Sequence, residues 1–390
     1  MSTDFAALRR EEFPALDEAI YLNSASIGPL PERTRRRIDH FGTLRAAPFR
    51  TSDPELFAEF TQARALAARL LNATPEEIAL TVNTSYGLNL AAQGLPLDRG
   101  DVVVASDREF PANVYPWMRL AERGIALELA PVTAEGWPDE AALLERMADP
   151  RVRVVAVSLV QFSNGYRVDL DRLSKRARAT DTYLVVDAIQ GLGAVPVDLA
   201  ATPVDLLACG GQKWLLSPWG SGFVYVRKEL MTVVDPAVTG WMAFEGTDDF
   251  GRLTDYNPRL RSDARRFEMI TLPYQDFAGF NTSVGMLLDI GIPAIARHIA
   301  GLQAPILDWA VRRGVRISSP VGARGSGIVC VAVPEPARAY KQLRAQGVVA
   351  GVREGAIRLS PHLFNTMDEM ERVVGMLEKL SPQSSVLSNA

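Results

Sequence analysis

Apolar segments that alternate with amphipathic ones are the feature that most constrains the fold of this chain. Residues 53–72 carry apolar side chains at helical spacing, and further helical patterns at 141–147 and 170–179 lie between β-branched runs. The predicted strands are 78–82, 102–105, 126–129, 152–158, 184–187, 206–208 and 222–226. Because strands that alternate with helices form mainly parallel sheets covered on both faces, we predict an α/β fold.

The pattern changes after about residue 278. A long helical segment at 280–301 precedes an apolar strand at 328–333, and a strand at 356–360 lies between helical stretches at 337–346 and 367–380. These elements predict a smaller α+β domain at the C-terminus. The predicted units are a large domain at 21–277, a small domain formed by 1–20 and 278–382, and a flexible tail at 383–390.

Composition argues against several classes of protein. The 42 basic residues are outnumbered by 46 acidic ones, so no basic footprint for nucleic acid is expected. Cys209 and Cys330 lie in apolar runs far apart, which favours packing in a reducing compartment over a disulfide. The three histidines show no zinc-binding spacing. Because there is no apolar leader and no apolar run of about 18 residues, we predict a cytoplasmic protein without membrane contact.

Lys213 stands apart from the other lysines of the chain. Only five of the 42 basic residues are lysines, and Lys175, Lys228, Lys341 and Lys379 lie beside polar residues in predicted helices or turns. Lys213 instead follows two glycines and a glutamine at the end of an apolar strand. An apolar site lowers the pKa of a lysine and makes its amine nucleophilic near neutral pH. The position favours a lysine that forms a Schiff base, although a lone lysine is more often a solvated surface group.

Asp187 ends another predicted strand, 26 residues before Lys213. Both residues then fall at the carboxyl edge of the sheet, where α/β proteins bind their ligands. A carboxylate and a lysine in this order suit pyridoxal 5'-phosphate (PLP), because the lysine binds its aldehyde and the aspartate keeps its pyridine nitrogen protonated. Alone, an aspartate here is more often a turn or cap residue. The ordered pair predicts a PLP site.

Two segments after strands suit the phosphate and the ring of this cofactor. Thr84 and Ser85 open a helix, and hydroxyl and N–H groups at a helix N-terminus favour a phosphate, with an ordinary helix cap as the alternative. Phe110 follows the strand at 102–105 and is the candidate that stacks on the ring, with plain core packing as the alternative.

Three further residues follow or occupy strands. Asn164 and Gln190 are candidate donors to the 3-oxygen of the ring, although turn chemistry also explains an asparagine before a glycine. Arg358 is a charge inside a short apolar strand, where a guanidinium either clamps a substrate α-carboxylate or forms a structural salt bridge. Residues 191–196 match a dinucleotide motif only in part, because proline replaces its third glycine, which leaves a nicotinamide-binding protein as the alternative cofactor class.

Together these residues resemble the class V aminotransferase family, fold-type I PLP-dependent transferases that include cysteine desulfurases, selenocysteine lyases, kynureninases and isopenicillin N epimerase-like proteins. The resemblance extends from Tyr21 to Thr366. It implies PLP, an amino acid substrate, and a homodimer with the active site at the subunit interface. The implied site comprises Lys213 for the Schiff base, Thr84, Ser85, Phe110, Asn164, Asp187, Gln190 and Gln212 for the cofactor, Thr271 for the phosphate of the neighbouring subunit, and Asn23, Ser26 and Arg358 for the substrate.

The chain departs from the desulfurases of this family. They often carry histidine where this chain has Phe110 and Gln212, and their loop with a nucleophilic cysteine is replaced here by residues 352–356. We therefore expect chemistry at the α-carbon through an external aldimine, in a lyase or epimerase of the isopenicillin N epimerase-like group. The alternatives are an aminotransferase, a C–S lyase or desulfurase-like enzyme without a persulfide cysteine, and a catalytically idle protein on the same fold.

Overall fold

The computed structural model describes residues 3–380, so the predicted tail at 383–390 lies outside the described residues. The strands are β1 (Ile20–Tyr21), β2 (Ile78–Thr81), β3 (Val102–Ser106), β4 (Ala126–Ala130), β5 (Val152–Ser158), β6 (Tyr183–Asp187), β7 (Leu206–Gly210), β8 (Gly222–Val226), β9 (Val329–Val331), β10 (Val348–Val349), β11 (Gly351–Arg353) and β12 (Ala356–Leu359). The α-helices are α1 (Phe5–Glu12), α2 (Glu32–Ala46), α3 (Asp53–Leu71), α4 (Thr84–Gly94), α5 (Tyr115–Met118), α6 (Glu140–Arg146), α7 (Leu170–Ala179), α8 (Tyr274–Ile290), α9 (Ile292–Arg313), α10 (Pro336–Ala345) and α11 (Met367–Leu380).

The main sheet of the described chain has the strand order β2-β8-β7-β6-β5-β3-β4. Neighbouring strands from β7 to β4 are parallel, whereas β8 is antiparallel to both β7 and β2. The mainly parallel α/β architecture predicted from the sequence is confirmed. Because parallel strands point the same way, β3, β5, β6 and β7 all end at one edge of the sheet, and the segments that follow them meet there.

Both faces of the main sheet are buried, and successive residues of a strand alternate between them. Val102 and Val104 of β3 lie in an apolar cluster with residues of α3 and α8. Val103 and Ala105 lie in a second cluster, with residues of α4. Since side chains alternate along a strand, a strand buried on both faces must be apolar throughout. This explains why these strands were recognisable as continuous apolar runs.

A three-stranded antiparallel sheet, in the order β11-β12-β9, lies in the C-terminal region with its own apolar cluster. In the β11–β12 hairpin, Gly351 is opposite Arg358 and Arg353 is opposite Ala356. Side chains that are opposite, or two residues apart, point to the same face of a sheet. Arg353 and Arg358 therefore share one face of the hairpin. The smaller α+β part of the predicted fold is confirmed, while its boundary at residue 278 stays a prediction.

The single helix predicted at 280–301 is wrong, because two helices meet there. α8 ends and α9 begins on either side of Gly291, which has a φ of 89°. Glycine adopts this conformation without steric cost, and Pro293 is tolerated in the first turn of α9. Among residues 3–380, no single helix is long and apolar enough to cross a membrane, although α8 and α9 together reach that length and composition across a bend of 79°.

Candidate active site

Lys213 lies in a tight turn that follows β7. The amide of Leu216 donates to the carbonyl of Lys213 at 3.1 Å, and the amide of Gly28 donates to the carbonyl of Gln212 at 2.9 Å. A side chain at Gly28 would overlap the Lys213 carbonyl oxygen, so this close approach of two backbones requires glycine. Gly28 thus holds the turn in place, although it was not among the residues predicted from the sequence.

Asp187 ends β6, next to β7, and its carboxylate is buried. Burial raises the pKa of Asp187 to about 6, while a hydrogen bond of 3.1 Å from the Ile189 amide and the charge of Lys213 oppose this rise. Burial also lowers the pKa of Lys213 to about 8; Asp187 opposes this shift and Arg358 adds to it. Near neutral pH the carboxylate is therefore charged while a fraction of the amine is neutral, as a Schiff-base lysine requires.

Phe110 lies beside the amine of Lys213. The Nζ atom of Lys213 is 5.6 Å from the centroid of the Phe110 ring, and the Phe162 ring contacts Phe110 edge to face at 5.2 Å. Plain core packing does not describe this position, because 42% of Phe110 is exposed. An exposed aromatic ring beside the amine suits a stacking partner for a planar cofactor. That role stays a prediction.

Glu109 is a buried carboxylate that the sequence reasoning missed. It accepts hydrogen bonds from the Ser158 amide at 2.9 Å, from the Ser158 hydroxyl at 2.5 Å and from Nε2 of Gln161 at 2.6 Å. Burial raises the pKa of Glu109, and the charge of Asp187 acts in the same direction. These bonds join the segment that carries Phe110 to the end of β5, so Glu109 positions the ring.

A cradle for an anion lies where α4 begins beside β7. Thr84 and Ser85 are the first residues of α4, where amide groups lack intrahelical acceptors. Oγ1 of Thr84 accepts a hydrogen bond of 2.9 Å from the Gly210 amide. A Cβ atom on Gly210 would come within 2.6 Å of Oε1 of Gln212 and 3.3 Å of Oγ1 of Thr84. Glycine at this position keeps the cradle open, and its donors fit the phosphate of PLP.

Gln190 and Asn164 both make hydrogen bonds within the protein. Nε2 of Gln190 donates to the carbonyl of Ala25 and its Oε1 accepts from the Trp214 indole, both at 2.9 Å. Nδ2 of Asn164 donates to a backbone carbonyl and its Oδ1 accepts from the Tyr166 amide, again at 2.9 Å. The second Asn164 contact is the turn chemistry considered above. Each amide retains one N–H for another acceptor, so the contact with the 3-oxygen stays a prediction.

Arg358 is a buried guanidinium held by neutral groups. It is 1% exposed, and it donates to the Phe162 carbonyl and to the Ser26 hydroxyl, each at 2.7 Å. Its Nε has no partner among the described residues. Burial lowers the pKa of Arg358 to about 10, and Arg353 adds to this, so the group is still charged at neutral pH. Within residues 3–380 it forms no salt bridge, and a buried cation without a counter-charge suits an incoming carboxylate.

The other residues predicted from the resemblance lie in different surroundings. Oδ1 of Asn23 is buried without a partner among the described residues, and it lies on the same side of Gly351 as Nε of Arg358. Ser26 contacts Arg358 directly. Thr271 is exposed on the segment before α8, and its predicted contact with the phosphate of a neighbouring subunit stays a prediction.

His362 connects the C-terminal region to the turn that carries Lys213. Nε2 of His362 donates to the Trp214 carbonyl at 3.0 Å, and Nδ1 accepts from the Leu363 amide at 2.7 Å, which defines a neutral tautomer. Burial lowers the pKa of His362 to about 4. The sequence reasoning missed this residue, because Trp214 is 148 positions away along the chain.

The groups at the carboxyl edge suit one class of cofactor. PLP requires an amine at its aldehyde, an acid at its pyridine nitrogen and an anion site for its phosphate. Lys213 offers an amine, Asp187 a carboxylate, and the segment around Gly210 an open anion site. Their chemistry and the open cradle fit PLP and define an α/β enzyme of the PLP-dependent class.

The model of the family described as Aminotransferase class-V matches residues 20–373, so the chain belongs to this family. PLP is therefore its cofactor, and it is an enzyme of the class V group. Isopenicillin N epimerase of Amycolatopsis lactamdurans is 33% identical over 399 residues, which cover 94% of this chain and 96% of that protein. The uncharacterized aminotransferase YcbU of Bacillus subtilis (strain 168) is 28% identical over 366 residues, with 94% and 95% covered.

The fold is also similar to that of solved structures. The apo structure of cysteine desulfurase from Thermococcus onnurineus NA1 matches with a TM-score of 0.87 at 24% identity, and the match covers 97% of this chain and 99% of that chain. This likeness confirms the predicted fold-type I architecture.

Proposed function

We propose that the protein is a lyase or epimerase that acts at the α-carbon of an amino acid, as in the isopenicillin N epimerase-like group. The observation that carries this proposal is that a lysine with a pKa of about 8 lies within the electrostatic field of a buried guanidinium that forms no salt bridge with any of residues 3–380. Such an arrangement suits a substrate held by its carboxylate with its α-carbon near a base. The relationship to isopenicillin N epimerase supports the same assignment.

The residues have distinct roles in this proposal. When bound, PLP would withdraw electrons from the α-carbon of the substrate and make its proton acidic. The neutral fraction of Lys213 takes that proton as a general base. Arg358 binds the α-carboxylate with N–H groups that Phe162 and Ser26 orient. Asp187, charged near neutral pH, favours a protonated pyridine nitrogen.

The two cysteines support a reaction without a persulfide. The β11–β12 hairpin turns directly after Arg353, so no loop that carries a cysteine precedes Arg358. Cys209 and Cys330 are buried, and burial raises the pKa of both thiols, that of Cys330 to about 11. A buried thiol with a raised pKa is a poor nucleophile. These features favour a lyase or epimerase over a desulfurase.

Exchange of the α-proton with solvent tests the proposal. The PLP-loaded enzyme is incubated in D₂O with a panel of amino acids, and loss of the α-proton signal is followed by NMR. We expect exchange with at least one amino acid, and a decrease of about 10²- to 10⁴-fold in Lys213→Ala, since that is the usual contribution of a general base. Lys175→Ala, at an exposed helix position, serves as the matched control with unchanged exchange.

The products then identify the branch. Inversion of the α-carbon identifies an epimerase, and a keto acid with free ammonia identifies a lyase. Turnover that depends on an added keto acid would replace this assignment with an aminotransferase. The absence of exchange for every amino acid with the wild-type enzyme would refute chemistry at the α-carbon.

We also propose that the enzyme is a homodimer. Thr271 is exposed, and so are the large aromatic side chains of Trp219, Trp241 and Tyr256. Trp241 and Tyr256 line one surface pocket together with Phe244 and Leu253. Since monomeric proteins rarely expose extended apolar patches, this surface supports a subunit interface. Light scattering after gel filtration should give twice the mass of one chain; the mass of one chain at all concentrations would refute the dimer.

A further inference from the structure

A cavity of about 200 Å³, lined in part by the predicted cofactor residue Asn164, lies beside the β11–β12 hairpin. Three segments that carry site residues contribute to its lining. Arg108 lies two residues before Phe110, and Arg353 is the last residue of β11. Asn164 lies two residues after Phe162, whose carbonyl accepts a hydrogen bond from Arg358. The cavity is therefore lined by segments that also carry or contact predicted site residues.

The cavity has an excess of positive charge. Arg108, Arg316 and Arg353 line it, and none of the three forms a salt bridge within the described residues 3–380. Glu135 and Glu354 also line it, so three guanidinium groups face two carboxylates. Arg353 donates through Nη1 only to the carbonyl of its neighbour Val352, at 2.8 Å, as far as the described chain shows. Among residues 3–380, no carboxylate lies within salt-bridge distance of the Arg353 guanidinium.

Arg353 is also close to the reacting groups. It shares one face of the hairpin with Arg358, and residues that are diagonal across an antiparallel pair are about 7–8 Å apart. The charge of Arg353 contributes to the lowered pKa of both Arg358 and Lys213. A ligand held at Arg358 by one carboxylate can thus reach Arg353 with a second anionic group.

We propose that this cavity is the subsite for the substrate side chain and that it selects amino acids with a second carboxylate. This inference rests on the proposed function, in which Arg358 binds the α-carboxylate. Arg353, which is half-buried, contacts the second carboxylate, while the exposed Arg108 and Arg316 attract it at the rim. A neutral side chain leaves these guanidinium groups without a counter-charge, so it binds less tightly.

Binding of substrate analogues without an amino group tests the subsite independently of turnover. Calorimetry on the PLP-loaded enzyme compares glutarate and adipate with butyrate, which has one carboxylate. We expect the better dicarboxylate to bind at least about tenfold more tightly than butyrate, as charge-assisted hydrogen bonds to guanidinium imply. In Arg353→Met this preference should disappear while the affinity for butyrate stays the same. Equal binding of mono- and dicarboxylates by the wild type would overturn the proposal.

Two further variants control for loss of structure. Arg353→Lys keeps the positive charge and should retain part of the preference, and Arg316→Met, at an exposed position, should reduce it less than Arg353→Met. Arg338→Met, which breaks an exposed pair on α10, should leave it unchanged. Retention of the full preference in Arg353→Met would assign the selectivity to another site and refute the role of this cavity.

The outcomes separate this inference from the proposed function. A dicarboxylate preference without α-proton exchange for any amino acid would refute the proposed reaction and leave the subsite in place. Exchange that is equally efficient for acidic and neutral amino acids, with the same KM ratio in Arg353→Met, would refute the subsite and leave the reaction in place.

Discussion

The carboxyl edge of the main sheet and the β11–β12 hairpin bury charge in opposite ways. At the edge, Asp187 and Lys213 are buried together, and each opposes the pKa shift that burial causes in the other. On the hairpin, Arg358 is buried against a carbonyl and a hydroxyl group and has no carboxylate partner among the described residues. The edge therefore keeps groups that exchange protons near neutral pH, while the hairpin keeps a permanent charge that an anionic ligand neutralises.

Among the changes that test this comparison, the largest effect is expected from removing the permanent charge of Arg358. Arg358→Met should raise KM for the amino acid substrate by roughly 10- to 100-fold, because a hydrogen bond to a charged group contributes about 1.5–3 kcal/mol. The PLP content, measured from the visible absorbance, should change little. Arg338→Met, which affects only an exposed pair, is the matched control. An unchanged KM in Arg358→Met would show that the buried charge on the hairpin does not bind the substrate, and the contrast between the two regions would fail.

A second prediction concerns the contact that joins the two regions. The pKa of His362 is lowered from 6.5 to about 4, so as the pH falls through this range the unfolded chain binds a proton that the folded chain does not. The wild type should therefore lose stability relative to His362→Gln, by roughly 2 kcal/mol between about pH 6.5 and pH 5 at 1.36 kcal/mol per pKa unit. Denaturant unfolding at several pH values measures this difference. A difference independent of pH would show that His362 titrates normally.

The smallest effects are expected on the pKa of Lys213, on which Asp187 and Arg358 act in opposite directions. Competitive acetylation of the apoprotein, read by mass spectrometry, should give Lys213 a midpoint near the pKa of about 8. Asp187→Asn should lower this midpoint and Arg358→Met should raise it, each by less than burial does, because burial is the largest cause of the shift. The exposed Lys175, whose pKa is raised by Asp171, should titrate at much higher pH in every variant. Shifts in the same direction would contradict the opposite electrostatic roles of the two regions.

Much of the main sheet was predictable because its strands are buried on both faces. The runs predicted at 152–158 and 222–226 form β5 and β8 with the same bounds. The antiparallel direction of β8 was not predictable, since an apolar run contains no information about strand direction. The break at Gly291 was also missed, because the apolar periodicity continues from α8 into α9 on a shared core.

The candidate site was predictable where a functional side chain ends or closely follows a strand, or where a charge lies inside an apolar strand, as Arg358 does. Asp187 and Lys213 are in this group, and the structure brings them together. Gly28, Glu109 and His362 are not, because each acts on a partner distant in sequence: Gln212, Ser158 and Trp214. Such pairs form only when the N-terminal segment, the loops of the main sheet and the hairpin pack together, and no local pattern encodes them.

The measurement that tests the central claim most directly is the identity of the lysine that binds PLP. The loaded enzyme is reduced with borohydride, digested, and mapped by mass spectrometry, with five lysines as possible sites. We predict a pyridoxyl group on Lys213 alone, and its absence in Lys213→Ala. A label on Lys175 or on any other lysine instead of Lys213 would contradict the assignment.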